Sequence, residues 1–347
     1  MDSTYHSLTI TQIREELPGV KTFVFGGEDA KAISYVAGQY LTLVTQGKKE
    51  EIRRSYSITS APVLGESLAI GVKRVENGFL SRKLIDQAKV GDQIQTIGAA
   101  GFFTLPEDLS TYGQVFFWAA GSGITPIYSL LKTLLHGHPD ISVVLVYSNQ
   151  SPEVTIYRQE LTQLGKEHPN RFVLHFLFSN SPRLNQARLH KELLKQLVRQ
   201  YSKVSSAEVL CYVCGPENYR RLCLYGLREI GVPAANIRQE TFSTTKIQVK
   251  VTPPDTYLHT LEIIYQDQVH RLQTQYPDTI LQSAKKAGIA LPYSCEAGRC
   301  GNCAATCRQG KVWMSYNEVL TEREVNRGLV LTCVGYAVGG DVVLEVP

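Results

Sequence analysis

Cys295, Cys300 and Cys303 stand in one short segment, Pro-Tyr-Ser-Cys-Glu-Ala-Gly-Arg-Cys-Gly-Asn-Cys, and Cys333 follows in Val-Leu-Thr-Cys-Val-Gly-Tyr. The spacing is C-x4-C-x2-C, then 29 residues, then C. Three thiolates from a tight loop and one from a returning strand suit two bridged irons, a [2Fe–2S] cluster. Gly298 and Gly301 fit such a loop, because backbone N–H groups must turn toward the cluster with no Cβ in the way. Structural zinc is the rival chemistry, but it usually shows two C-x2-C knuckles or Cys/His pairs, and here there is one knuckle and no neighbouring histidine. Cys307 lies four residues after Cys303 and is read as strand packing, since four thiolates already complete the set. Cys211, Cys214 and Cys223 join it as small apolar residues in a reducing compartment.

A second group of residues could hold a nucleotide. In Arg54-Ser55-Tyr56-Ser57 an extended strand puts Arg54 and Tyr56 on one face. Arginine can grip a phosphate bidentately and a tyrosine ring can stack on a planar heterocycle. Ser57 points the other way, its hydroxyl able to bond a ring nitrogen. A strand with an exposed arginine and a core tyrosine would read the same. Gly78-Phe79-Leu80-Ser81 opens an expected helix, whose free N–H groups can hold a pyrophosphate. Gly121-Ser122-Gly123-Ile124-Thr125-Pro126 follows an apolar strand and opens another helix. It departs from the G-x-G-x-x-G fingerprint at Pro126, yet its glycines permit close backbone approach and its helix N-terminus favours an anion. Cys214-Gly215-Pro216 ends a strand, where an α/β sheet places its ligand. His136, His138 and His190 are expected at the surface. Lys73 and Arg74 either flank the nucleotide or belong to a solvated strand face.

The elements that must position these residues are legible. A chain of 347 residues suggests two or three domains. Leu8–Glu15, Val20–Phe25, Tyr40–Thr45, Ile52–Ser60, Leu68–Val75 and Asp92–Ile97 are short alternating or β-branched segments separated by turn signals. With one helical stretch, Asn77–Gln87, they suggest an antiparallel barrel. The pattern then switches to strand–helix alternation: strands Gln114–Ala120, Ile141–Tyr147, Arg171–Phe178 and Glu208–Val213, with helices between, argue a parallel sheet covered on both faces. Ser243–Thr256, with Pro253-Pro254, reads as a linker. The expected domains are 1–107, 108–242 and 258–347, with 243–257 between them.

The net charge of +4 is too small to argue for nucleic acid. From Tyr257 onward the chain is nearly neutral, nine acidic against eight basic residues. That fits a domain tethered to its electron donor, where linkage supplies effective concentration. The apolar runs Val115–Ala120 and Val143–Val146 are far shorter than a membrane span, and the first residues do not resemble a targeting peptide. A cytoplasmic protein is expected.

Taken together, these motifs resemble the ferredoxin-reductase superfamily fused to a plant-type ferredoxin domain, the latter from about Leu258 onward. Arg54-x-Tyr56-Ser57 is similar to the superfamily's flavin motif, whose serine faces flavin N5. Gly98-Ala99-Ala100-Gly101-Phe102-Phe103 is similar to its Gly-x-x-Gly-x-Phe loop, and Gly121–Pro126 to the G-x-G-x-T-P that faces the nicotinamide, so that Thr125 would meet the dinucleotide. Cys214-Gly215-Pro216 resembles the segment beside the reacting nicotinamide, and Glu240-Thr241-Phe242 the E-x-F that closes the module near the flavin. The order of domains resembles the reductase components of multicomponent oxygenases, most closely the group that includes phenylacetyl-CoA epoxidase reductase.

The resemblance implies a multidomain fold: an antiparallel FAD-binding barrel, a parallel α/β NAD(P)-binding domain and a C-terminal β-grasp ferredoxin domain. It implies hydride transfer from NAD(P)H to FAD, single-electron transfer to the [2Fe–2S] cluster, and delivery to an oxygenase, hydroxylase or desaturase. Ser57, Cys214 and Glu240 would stand at the reacting atoms. Alternatives are a stand-alone NAD(P)H reductase of a diffusible acceptor, a slow redox sensor, and a non-catalytic electron-transfer subunit like that of some dihydroorotate dehydrogenases, whose interval before the fourth cysteine is shorter. Members that prefer NADPH carry arginines after the second and third strands of the nucleotide domain. Here those places read Tyr147-Ser148-Asn149-Gln150 and Phe178-Ser179-Asn180, with Arg183 and Arg188 only nearby, which leans toward NADH.

Overall fold

A computed structural model describes residues 5–47, 51–242 and 252–347. It divides into two units, Met1–Thr241 and Phe242–Pro347. Most of the expected linker, 243–251, lies outside the described residues.

The first unit begins with six strands, β1 (His6–Leu17), β2 (Val20–Gly26), β3 (Tyr40–Gln46), β4 (Glu51–Ser57), β5 (Ala69–Lys73) and β6 (Gln93–Ala100), and two helices, α1 (Glu28–Ala32) and α2 (Phe79–Gln87). The strands form one sheet in the order β4-β3-β6-β1-β2-β5, every pair antiparallel. The period of two is visible in the core: Leu8 and Ile10, Phe23 and Phe25, Leu41 and Leu43, Ile70 and Val72 all point inward. The two edges meet through an antiparallel bridge between Ile58 and Ile70, which closes the barrel. This is why β4 stops at Ser57 rather than running to Ser60. Beyond Ser57 the chain leaves β3 and crosses to β5, with the Ile58 N–H given to Gln39 and the Thr59 N–H to Ala69.

The chain then builds a parallel sheet of β7 (Gln114–Ala120), β8 (Ser142–Asn149), β9 (Phe172–Phe178), β10 (Val209–Cys214) and β11 (Ile237–Glu240), ordered β11-β10-β7-β8-β9. Helices α3 (Ile124–Gly137), α4 (Arg158–Glu167), α5 (Leu184–Ala187), α6 (Lys191–Tyr201) and α7 (Glu217–Glu229) connect the strands. Val115, Phe117 and Ala119 of β7 enter one core and Phe116 and Trp118 the other. Burial on both faces explains the unbroken apolar run. Barrel residues Val20, Ala37 and Phe103 belong to the same core as α3, so barrel and parallel sheet share their packing.

The second unit has strands β12 (His259–Tyr265), β13 (Gln268–Thr274), β14 (Ala304–Gln309), β15 (Val312–Met314), β16 (Leu329–Leu331), β17 (Gly335–Ala337) and β18 (Val342–Glu345), with helices α8 (Ile280–Lys286) and α9 (Glu322–Asn326). The main sheet runs β13-β12-β18-β14-β16, and β15 pairs with β17 separately. The β12–β18 pair is parallel and the others antiparallel. Ile280, Leu281 and Ala284 of α8 are buried, which gives the helix-on-mixed-sheet form of a β-grasp domain. Among the described residues no helix is long and apolar enough to cross a membrane.

α8 starts on a capping box: the Thr279 hydroxyl accepts from the Gln282 N–H at 3.2 Å, and the Gln282 side chain accepts from the Thr279 N–H at 2.9 Å. Thr279→Ala is expected to destabilise the second unit by about 1 kcal/mol. Thermal unfolding should show a lower midpoint for this unit with flavin content unchanged, and an unaltered midpoint would show that the cap adds nothing.

Candidate functional site

Strand β14 places three cysteines against the fourth. Ala304 pairs with Leu331, so Cys303 and Cys333 lie at neighbouring ends of β14 and β16. Thr332 locks that junction, giving both its N–H and its hydroxyl to the Cys303 carbonyl at 3.1 Å. Between Cys295 and Cys303 the backbone coils through three left-handed residues, Glu296 (φ 50°), Gly298 (φ 67°) and Gly301 (φ 78°). A Cβ on Gly298 would sit 2.9 Å from the Tyr316 carbonyl oxygen. Arg299 is buried inside the loop and pairs with Glu318 at 3.1 Å.

The four thiols lie within hydrogen-bonding reach of one another, Cys295 with Cys300 and Cys333, and Cys303 with Cys333. Those bonds, with the N–H groups of Arg299 and Ala297, hold the Cys295 thiol far below its ordinary value. The Ala297 N–H stands 3.4 Å from its sulfur. Four convergent sulfurs, ringed by N–H donors and partly buried, suit a [2Fe–2S] cluster, with these thiols in the place of its thiolate ligands. Cys307 is a correction: it is half-exposed, not core. It is paired with Leu344 just before the bulge between Cys307 and Gln309, and its thiol meets the Gln309 carbonyl at 3.4 Å.

In the first unit β3 brings two motifs together. Tyr40 pairs with Ser57 on one side and Ala100 on the other, and Leu41 pairs with Tyr56 and Ala99. Arg54 is exposed, Tyr56 half-buried and Ser57 3 % exposed. The Ser57 Oγ is buried without a hydrogen-bond partner, an arrangement that costs free energy unless a bound group completes it. Gly98 and Gly101 take φ values of 92° and 120°, and a Cβ on Gly101 would press on the Tyr40 ring at 2.9 Å. Gly78 caps α2, and the Ser81 hydroxyl accepts the Val75 N–H at 3.2 Å. Arg74 is held by Asp86 on α2 at 3.0 Å, so it serves the surface of the barrel.

The nucleotide motifs meet at the C-terminal ends of β7 and β10, which are neighbours. A Cβ on Gly123 would lie 2.2 Å from the Cys214 carbonyl oxygen and 2.9 Å from the Gly215 nitrogen, and a Cβ on Gly215 would lie 2.9 Å from the Ala120 Cβ. Cys214 pairs with Ala119 on one side and Glu240 on the other. Burial raises the Cys214 thiol well above its usual range, and Glu240 adds to this against the opposing charge of Arg220. Burial also pushes the Glu240 carboxyl up to about 8, and its Oε2 has no hydrogen-bond partner.

Pro126 lies in the first turn of α3, beyond the 3-10 turn Gly121–Gly123, where Gly121 takes φ 54°. The Thr125 side chain, expected to meet the dinucleotide, turns inward. Its hydroxyl donates to the Ser122 carbonyl at 3.0 Å, and its methyl packs on Gly71 of the barrel. Phe242, past the end of β11, is 48 % exposed and falls in the second unit. Tyr219 joins the site although no sequence motif singles it out. Its buried hydroxyl approaches Ser148 at the end of β8, and its place in the first turn after Cys214-Gly215-Pro216 is the available signal. His136 and His190 are exposed, as expected, His138 is half-buried, and His190 caps α6.

The chain matches three families: the oxidoreductase FAD-binding domain over residues 7–105, the oxidoreductase NAD-binding domain over 117–223, and the 2Fe-2S iron-sulfur cluster binding domain over 264–338. It is 31% identical over 341 residues to the ferredoxin reductase component of 3-ketosteroid-9-alpha-monooxygenase from Mycobacterium tuberculosis, covering 94% of this chain and 91% of that one. It is 29% identical to one of the polypeptides of 1,2-phenylacetyl-CoA epoxidase from Escherichia coli, with 99% and 98% covered. Phthalate dioxygenase reductase shares the fold with a TM-score of 0.59 and 22% identity, over 99% of this chain and 98% of that one. An intact type IV self-sufficient cytochrome P450 monooxygenase matches at a TM-score of 0.71 and 20% identity, and this chain spans 41% of its length. With its sulfur quartet, its barrel motif and its paired nucleotide loops in that order, the chain belongs to the family of FAD- and [2Fe–2S]-containing reductase components of oxygenases.

Proposed function

We propose that this chain takes electrons from reduced nicotinamide dinucleotide and passes them, through FAD and the [2Fe–2S] cluster, to a redox protein such as an oxygenase, hydroxylase or desaturase. The observation that carries the reading is the run of neighbouring thiols Cys300, Cys295, Cys333 and Cys303, each beside the next, on the same chain as a nucleotide-binding sheet and a flavin-type barrel. When bound, FAD supplies the conversion of a two-electron donor into single electrons, and the cluster supplies a one-electron relay.

The protein's own part is to bind, orient and exclude. In this reading Arg54 holds phosphate, the Tyr56 ring lies along the flavin, and the helix start at Gly78 and Ser81 receives the pyrophosphate. Gly101 leaves room for the backbone to approach, and the Ser57 hydroxyl meets the flavin edge. The backbone of the loop Gly121–Pro126, with Gly123 at its closest approach, and the segment Cys214-Gly215-Pro216 form the floor under the nicotinamide, while the Thr125 side chain faces the barrel. Glu240, half-buried and pushed up to about 8 by desolvation, provides a carboxyl beside that floor. Cys295, Cys300, Cys303 and Cys333 ligate the irons.

NADH is the proposed donor, supported by the arginine-free stretch Tyr147–Gln150 that ends β8. Eight unbridged cysteines support a reducing compartment, the cytoplasm. The proposed boundaries 1–107, 108–242, 243–257 and 258–347 are supported by the matched segments 7–105, 117–223 and 264–338.

Cys303→Ser is expected to reduce NADH-driven cytochrome c reduction to background while ferricyanide reduction, which flavin alone can serve, persists. Equal loss of both in steady-state assays would refute electron exit through the cluster. Tyr56→Ala is expected to weaken FAD retention by about tenfold, the effect of losing an aromatic stack and its buried area. A variant that purifies with full flavin absorbance would remove Tyr56 from the site.

A further inference from the structure

Helix α3 carries a buried polar stripe along its otherwise apolar inner face. Thr125, Ser129 and Lys132 follow the i, i+4, i+7 spacing of a single helix face. All three are at most 6 % exposed, and all three touch the barrel. The Thr125 methyl packs on Gly71 of β5. The Ser129 hydroxyl donates to the Ser60 carbonyl at 2.6 Å. The Lys132 ammonium pairs with Glu66 and lies 4.5 Å from the centre of the Tyr128 ring.

The barrel side is equally organised. The Ser60 hydroxyl accepts the Ala69 N–H at 3.0 Å and meets the Tyr35 hydroxyl at 2.7 Å. Glu66 accepts the Ala61 N–H at 2.7 Å with the same oxygen that faces Lys132. Tyr128 stacks on Tyr157 at 4.4 Å, and the Tyr157 hydroxyl meets Thr22 of β2 at 3.0 Å.

Each end of this clamp continues a motif. Ser60 follows Ser57 by three residues, and the stripe starts two residues after Gly123. Burying the Lys132 ammonium is unfavourable even with Glu66 beside it at the solvent edge, and an apolar residue in its place would join the lobes without that desolvation cost. Apolar packing would not hold α3 at one register along the barrel, whereas directional bonds at successive turns do.

We propose that the Thr125–Ser129–Lys132 face of α3 is a positioning device for hydride transfer, setting how closely the nucleotide loop stands to the flavin-binding strand. Lys132 and Ser129 are positioning residues in this scheme, and the inference rests on the reading of the two motifs given under Proposed function. Reaction geometry is steep in distance, a misplacement of about 1 Å costing up to about a hundredfold.

The test uses the full chain with FAD and cluster loaded, as wild type, Lys132→Met, Lys132→Arg and Ser129→Ala. Anaerobic stopped-flow measures flavin bleaching by NADH and the long-wavelength absorbance of the flavin–nucleotide complex. Hydrogen exchange reports the backbone N–H groups of Ala61 and its neighbours in the same proteins. Lys132→Met should bleach about tenfold more slowly, with KM for NADH and flavin content unchanged, a weaker long-wavelength band and faster exchange at Ala61. Lys132→Arg should recover most of the rate, and Ser129→Ala, the milder truncation, should fall between them.

Wild-type rates in both Lys132→Met and Ser129→Ala would overturn the proposal, as would a loss of rate that follows loss of flavin. A wild-type protein whose flavin NADH does not bleach would instead refute the underlying reading of the motifs, and this inference with it.

Discussion

The first unit depends on one contact that contains no side chain. Gly123 lies so close to the Cys214 carbonyl and the Gly215 nitrogen that any Cβ there would overlap backbone. Because β7 and β10 are adjacent parallel strands, their C-terminal turns converge, and glycine on both sides lets backbone meet backbone. That approach joins the turns at the C-terminal ends of the two strands. It also sets where α3 begins, and α3 in turn carries the polar face that grips the barrel. A bulkier residue at Gly123 would move the loop, the helix and the barrel contact together.

The second unit solves a different problem with similar means. Three thiols from one loop and Cys333 from beyond β16 repel one another as thiolates, and the protein answers with backbone N–H groups. Glu296, Gly298 and Gly301 turn the chain left-handed so that N–H groups point inward. Arg299, buried and paired with Glu318, ties the same loop to the chain beyond β15. The loop is thus prepared for an anionic iron–sulfur group by electrostatics as well as by spacing.

Two buried polar atoms without partners stand in the proposed cofactor sites. Ser57 Oγ and Glu240 Oε2 are both in this condition, at the ends of β4 and β11. A protein seldom tolerates such atoms in its core, because desolvation is not offset. Lys132 is the contrasting case. It is as deeply buried, yet it is matched by Glu66 and a tyrosine face, and so belongs to the architecture that holds the lobes in register.

Much of this was written locally in the chain. Alternation at Leu8 and Ile10 or Leu41 and Leu43 specifies strands, the run Val115–Ala120 specifies a doubly covered strand, and the cysteine spacing specifies the cluster loop, because periodicity and short-range spacing are properties of neighbouring residues. Tertiary structure decided what depends on partners far away in the chain. It ended β4 at Ser57, because barrel closure pairs Ile58 with Ile70. It left Cys307 half-exposed beside a bulge, turned Thr125 toward Gly71 rather than outward, and set the Tyr219 ring beside Gly215. It also matched Lys132 with Glu66, two residues whose types say nothing of each other until packing buries the lysine beside a glutamate at the solvent edge.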